Sequence, residues 1–407
     1  MGYFSLYVDP FDDTGEYLGT QISIDEDVIE GTLSAISKKV DNDDYNVGLF
    51  SFGNIKFKVR NNHGKYSDVD GVDTIFNFTR GGSRVEVKWR IESEGTYCGW
   101  AECGASRLSE EVSIFKGFLV DDDAAMNIED QTLSFSVLSD ESIFREVEAD
   151  TSNSSNGDTF SQFIYDILNT EAITSIFTVD QSNISVGNDL AIDDITDAEN
   201  KTLKEVLDNV ALMADAAINI VDDVIYVFPR TGSGSSVKTF YGPGAFDGVE
   251  DIVNISKIRT GVNKMINLWR WPSTSLVARD TESIDVYGVR DKAVPGGFIT
   301  DNTKKQTVLN TLITRFGQPK EDIDLTTPLT YESIAIDVFD KVSIDYPSIV
   351  YQVNNDDIAV YGNAVYGTAK YPETRSSKEI LPADTWTVLG KKINKNETIT
   401  FNLRKGA

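Results

Sequence analysis

Along roughly the first 144 residues, apolar and polar positions alternate with a period of two. In Ile55-Lys56-Phe57-Lys58-Val59, Val85-Glu86-Val87-Lys88-Trp89-Arg90-Ile91 and Leu133-Ser134-Phe135-Ser136-Val137 every second side chain falls on one face, as a strand with one buried side requires. Between them lie turn-rich stretches such as Arg60-Asn61-Asn62-His63-Gly64-Lys65-Tyr66-Ser67, where Asn and Gly supply the positive φ angles of tight turns. This part predicts a small antiparallel barrel or sandwich.

The period changes after residues 150–158, a Ser, Asn and Asp stretch with Gly157 and no apolar residue, which marks a boundary. Phe160, Phe163, Ile164, Ile167 and Leu168 fall on one face of a helix at spacings of three and four. A second helix starts at Thr202, which forms a capping box with Glu205, and Leu203, Val206, Leu207, Val210 and Met213 make its stripe. Ile218 to Val227 predicts a hairpin turning at Asp222 and Asp223. Thr231-Gly232-Ser233-Gly234-Ser235-Ser236 then reads as a flexible joint.

The β pattern returns in Ile252 to Ile258 and Met265 to Trp271. Ser283 to Arg290 predicts a strand and tight turn, and Asp340 to Pro347 ends in a further strand. Between them a helix carries Val308, Leu309, Leu312, Ile313 and Phe316 on one side. Gly317 is expected just beyond it in the left-handed conformation, with Pro319 stopping continuation. Thr385 to Leu389 and Thr398 to Leu403 predict two strands joined at about Asn394 to Glu397, and such a pair needs a larger sheet to join. The expected fold is mainly β (α+β), in four segments: 1–149, 150–236, 237–350 and 351–407.

With 407 residues and 40% hydrophobic content the chain can build several cores, and its formal charge of -28 is spread along its length. Gripping a nucleic-acid backbone or an anionic membrane requires clustered Lys and Arg, and the sequence holds no such run. No apolar run approaches the roughly 20 residues that span a bilayer. The N-terminus shows no secretory pattern, and Leu6 stands where myristoylation of Gly2 calls for Ser or Thr.

Candidate chemistry changes this picture little. His63 is the single histidine and sits in a Gly and Asn turn beside a lysine, without the oriented partner that a catalytic triad needs. Cys98 and Cys103 give two of the four ligands of a zinc site, so they read as free or loop-stapling cysteines. Tyr241-Gly242-Pro243-Gly244 lacks the setting of a phosphate loop. Among 65 acidic residues no acid and nucleophile pair stands out. Asp68-Val69-Asp70-Gly71-Val72-Asp73 lacks the later bidentate Glu of a calcium loop, and with Asp121-Asp122-Asp123 it reads as solvated turn. Trp269 and Trp271 share a strand face, as core residues do. No catalytic, cofactor-binding or metal-ligating set is assigned, and no enzyme activity is expected.

The order of features resembles the central hub proteins of bacteriophage tail tips and baseplates, also found in contractile injection systems. The first half carries this through Gly53 to Ser67, similar to the strand and Asn/Asp-Gly-Arg/Lys-Phe/Tyr-Ser turn of phage tail proteins, and through Ile114-Phe115-Lys116-Gly117-Phe118-Leu119. In the second half it rests on Ser283 to Arg290, the helix around Leu309 to Phe316, and Phe339-Asp340-Lys341-Val342, where the family usually has Gly in place of Phe339. The resemblance implies two tail-tube-like β-barrel domains, at about 1–149 and 237–350, with a small α+β domain between them. It further implies a homotrimer whose six barrels dock on a sixfold tail tube or distal tail protein. Its other neighbours would be a tape measure protein and a tip or spike protein. Genomic DNA would pass through without specific binding, and the acidic balance would keep the channel from holding it. The expected place is the virion, assembled in the bacterial host cytoplasm. Two other readings compete: a receptor-binding tail-tip protein and a hydrolase of cell-surface polysaccharide.

Overall fold

The computed structural model describes residues 2–9, 21–40, 51–61, 66, 83–91, 111–127, 129–230, 235–242, 252–260, 265–345, 385–394 and 396–405. The first part supplies β1 (Gly2–Asp9), β2 (Ile22–Ser23), β3 (Ile36–Val40), β4 (Ser51–Arg60), β5 (Arg84–Ile91), β6 (Val112–Asn127) and β7 (Thr132–Ser139). A 3-10 turn at Asp140–Arg145 leads to α1 (Phe160–Leu168), α2 (Glu171–Thr174), α3 (Leu203–Met213) and the hairpin β8 (Ala216–Val221) and β9 (Val224–Pro229). Then come β10 (Lys238–Tyr241), β11 (Asn254–Thr260), β12 (Leu268–Arg270), β13 (Val277–Arg279), α4 (Thr281–Tyr287), β14 (Asp291–Ala293) and α5 (Asn302–Phe316). The chain closes with β15 (Glu321–Pro328), α6 (Tyr331–Ala335), β16 (Lys341–Asp345), β17 (Thr385–Asn394) and β18 (Thr398–Lys405).

The protein is mainly β, with few helices. Thirteen of the described strands form one sheet in the order β11-β15-β18-β17-β3-β4-β7-β6-β5-β1-β2, with β16 pairing β17 and β10 pairing β16. All these pairings are antiparallel except β10 with β16. The terminal strands β17 and β18 find the sheet they need through β3, in register from Ile36 opposite Ile393 to Lys39 opposite Gly390. Among the described strands, that pairing joins the first part of the chain to the last.

Reading across the register shows how alternation sorts the faces. Ile399, Ile393, Ile36, Ile55, Val137 and Leu119 lie opposite one another on successive strands and are buried. One pleat along on the same face, the row runs Leu325, Phe401, Lys391, Lys38, Gly53, Ser139, Gly117, Val85 and Val8. It is apolar at both ends and polar or small in the middle, and that middle is where the rest of the chain docks.

Apolar burial forms two clusters. One lines the sheet, with Trp386, Phe57, Phe240 and Phe401 among its fully buried rings. The other unites residues 144–227 with residues 266–316, so α1, α3, β8 and β9 pack with β12 to β14 and α5. The Phe163 and Phe298 rings meet at 5.7 Å, and Trp269 meets Phe316 at 5.9 Å. Trp269 and Trp271 are buried, as their shared strand face predicts.

Local sequence signals explain most elements. Thr159 caps α1 by accepting from the Gln162 amide, and Thr202 and Glu205 form the expected capping box of α3. The β8–β9 hairpin closes through Asp222 and Asp223, both at positive φ (50° and 64°), the requirement of a type I′ turn. β17 and β18 meet at a turn with Glu397 at φ 56°.

Three expectations change. Ser283 to Tyr287 belongs to a helix, because Asp280 accepts the Ser283 amide at 2.9 Å and Gly288 ends the turn at φ 77°. Gly317 is right-handed (φ -67°), and a Cβ there would lie 2.5 Å from the Ile313 carbonyl oxygen. It is glycine for close approach, not for a left-handed cap. Asp121 to Asp123 lie within β6 rather than in a turn, where the register shifts between Val120 and Ala125 as in a bulge. His63, Cys98, Cys103 and Asp68 to Asp73 lie outside the described residues.

Candidate functional site

The polar middle of the inner row marks the site. Lys38 on β3 and Lys391 on β17 occupy neighbouring positions that alternation would give to apolar residues. Both reach the segment between α6 and β16. The Lys38 ammonium donates to Asp337 Oδ2 at 3.0 Å and to the Ile220 carbonyl of β8 at 3.0 Å, with Glu141 3.8 Å away. Lys391 donates to the Ile334 and Ile336 carbonyls at 3.2 and 3.1 Å and lies 3.5 Å from Asp337 Oδ1.

Asp337 is held from its own loop as well. Its backbone N–H donates to Asp340 at 2.8 Å, its carboxylate accepts from the Val338 N–H, and Asn219 of β8 donates to it at 3.3 Å. Phe339, at the position where the resemblance expects glycine, has φ 74°. A bulky residue is strained in that region. Its ring packs edge-on against Phe228 of β9 at 5.4 Å, and its N–H donates to Val388 at 2.7 Å.

A second set of charges meets the hairpin tip. Arg84 on β5 donates to Asp140 and to Asp223, each at 2.7 Å, and Lys116 on β6 donates to Asp223 at 2.7 Å. The turn residue Asp223 is thus gripped by two cations from neighbouring strands of the sheet. These groups enclose a cleft of about 360 Å³ lined by both lysines, Gly53, Ser139, Asp222 and Asp223. Gly53 is required there, because a Cβ would lie 2.5 Å from the Ser37 carbonyl oxygen and 3.0 Å from the Phe115 ring.

The electrostatics follow from burial and pairing together. Burial pushes the Asp140, Glu141 and Asp340 carboxyls up from their ordinary values, against the pull of their lysine and arginine neighbours. Asp337 goes the other way: Lys38 and Lys391 overcome its burial and hold it well below the carboxylate range. Lys38 is raised because Asp337 and Glu141 outweigh its desolvation, whereas burial and the Lys38 charge leave Lys391 lowered. The arrangement is a clamp: charges from β3, β5, β6 and β17 hold the hairpin of one core and the α6–β16 loop against the other.

The sequence alone marks Gly53, Lys116, Asp222, Asp223 and Phe339 to Lys341, for other reasons, and does not single out Lys38, Arg84, Asp140, Glu141, Asp337 or Lys391. The available signal was a lysine on the apolar phase of a strand, two residues from Ile36 and from Ile393. Among the described residues no group of three His, Cys, Asp or Glu is placed to hold a metal ion. No described helix is long and apolar enough to cross a membrane.

No protein-family model and no curated protein matches the chain. The fold is similar to solved structures. The tail protein from Neisseria meningitidis MC58 matches with a TM-score of 0.56 at 10% identity, over 99% of this chain and 96% of that one. Prophage tail protein gp18 from Listeria monocytogenes EGD-e gives 0.50 at 11% identity, over 98% and 94%. The Francisella PdpA-VgrG complex gives 0.50 at 10% identity, over 100% of this chain and 53% of that chain. At such identities the likeness is one of fold.

Proposed function

We propose that the protein is a structural component of a phage tail, acting as the central hub of the tail tip or baseplate. The observation that carries this reading is a fold likeness to a tail protein that extends over 99% of the chain rather than over one domain. The sheet adds to it. β3 and β17 make one continuous surface from strands at both ends of the chain, the kind of surface that works through the edges it presents to neighbours.

In this reading segments 1–149 and 237–350 each build a tube-like barrel, with 150–236 between them and 351–407 packing on both. Three copies form a pseudo-sixfold ring that joins the tail tube or distal tail protein to the threefold tip or spike protein. The tape measure protein and the genome pass through, with no specific DNA contact. Closed cyclic symmetry is the common outcome for homo-oligomers. The chain has no enzymatic role, and its buried charges hold structure together. It works in the virion after assembly in the host cytoplasm.

Mass determination in solution tests the reading. The expected result is a stable trimer or ring. A strict monomer at assembly concentrations overturns it.

A further inference from the structure

Over β3, β4 and β17 the sheet's outer face carries charge of the opposite sign to the molecule. Lys56, Lys58 and Arg60 of β4, Lys39 of β3 and Lys392 of β17 are all exposed there. The register makes them one group: Lys392 lies opposite Ser37, Ser37 opposite Asn54, and Lys39 opposite Gly390. At Gly390 a Cβ would come within 3.1 Å of the Lys39 stem, so that side chain runs across β17. Lys39, Lys58, Arg60 and Lys392 form no ion pair with a described carboxylate. Their charge is left for a partner to meet, and the chain, at -28, has acid to spare. Beside them on the same face lie exposed Leu138 and half-buried Phe118, opposite each other on β7 and β6.

The matching surface lies on the α1 unit. Residues 150–229 contain fifteen Asp and Glu and two Lys. Asp158, Asp166, Glu171 and Asp189 around α1 make no ion pair with a described cation, and Asp158 raises the Asp166 carboxyl together with its burial. This unit is held to the sheet through Asp223, which Arg84 and Lys116 grip, and through the Ile220 carbonyl, to which Lys38 donates. Among the described residues no ion pair joins these acids to those cations within one chain; a second copy, head to tail, can bring them together, which is the geometry that closes into rings.

We propose that the cationic outer face around Lys39, Lys58, Arg60 and Lys392 docks on the acidic α1 side of a second copy of this chain. This deepens the oligomer reading and rests on it. Charge complementarity of this kind fixes which faces meet and rejects wrong partners more than it sets raw affinity. Duplex DNA is the competing occupant, disfavoured because the net charge repels phosphate at long range.

The test is a charge swap in the full chain. Lys58→Glu with Lys392→Glu, and separately Asp166→Lys with Glu171→Lys, are each expected to weaken self-association at least tenfold, read by sedimentation velocity. An equimolar mixture of the two is expected to restore pairing between unlike chains, read as a species of two chains, because a ring of three always leaves one repelling junction between like chains. Circular dichroism checks folding, and the milder Lys58→Gln with Lys392→Gln, expected to weaken association less, serves if reversal disturbs it. Variants that associate like wild type, or a mixture in which unlike chains do not pair, overturn the docking while leaving a wild-type oligomer intact. Wild-type binding to a labelled DNA duplex that Lys58→Glu with Lys392→Glu abolishes, with self-association unchanged, also overturns it. A wild type that never associates removes both readings.

Discussion

Arg404 and Asp322 face each other across β18 and β15 in a bidentate pair of 2.7 and 2.9 Å, both nearly inaccessible to water. Lys38 and Lys391, also largely buried, do something different. The first pair staples two adjacent strands of one sheet and has its counter-charge in place. The second group joins two cores through a loop, a hairpin and a 3-10 turn, sharing one depressed carboxylate, Asp337, among many partners. A buried pair between adjacent strands depends on both partners, because removing one leaves an uncompensated charge. A shared cluster spreads that cost, since each lysine also has backbone carbonyls to donate to. The contrast says where the molecule is rigid and where it is joined.

The largest effect should come from breaking the pair. Asp322→Ala strands Arg404 and is expected to lower unfolding free energy by about 3–5 kcal/mol, read as a shifted denaturant midpoint. A loss below about 1 kcal/mol, typical of an exposed pair, would put Arg404 in water. Asp337→Ala should cost less, about 2–3 kcal/mol, because carbonyls and Glu141 remain for the lysines. Its signature is local. Amide exchange should speed up in β8, β9 and the α6–β16 loop while β4, β7 and β18 keep their protection, and uniform acceleration would refute the two-core description.

Acid should act on the cluster with two signs. Asp140, Glu141 and Asp340 have folded pKa values above their unfolded ones. The folded state therefore takes up their protons first, and stability rises as pH falls from 7 toward about 4. Asp337 and Asp193 are depressed, Asp193 to about 2 by Lys304 and two backbone amides against its partial burial. Their contribution is present above about pH 4 and is lost as pH falls toward their folded values. A melting profile that peaks on the acid side of neutrality is expected, and one that declines steadily from pH 7 contradicts the assignment.

The smallest effect isolates backbone strain at Phe339. Phe339→Gly and Phe339→Ala both lose the Phe228 contact, but only glycine is at ease at φ 74°. The glycine variant should be more stable than the alanine variant by about 1 kcal/mol in chemical denaturation. Equal stabilities would mean that the strain is absent.

Much of the fold was legible because local and global signals agree. The capping box at Thr202, the Asp222-Asp223 turn and the alternating strands each needed only a few neighbouring residues. Ser283 to Tyr287 misled because Ile284, Val286 and Val289 favour strands, and the helix is decided outside that run by Asp280 and Gly288. The clamp was illegible for another reason. Lys38 and Asp337 are 299 residues apart in sequence, and only the β3–β17 register brings them together. Phe339 sits between: the expected glycine position was visible in sequence, and the positive φ explains it.

The self-association proposed for this chain is tested by its mass in solution. Sedimentation equilibrium across a wide concentration range should give a species of three times the 45.0 kDa chain. A single species of one chain's mass at every concentration would rule out the proposed ring.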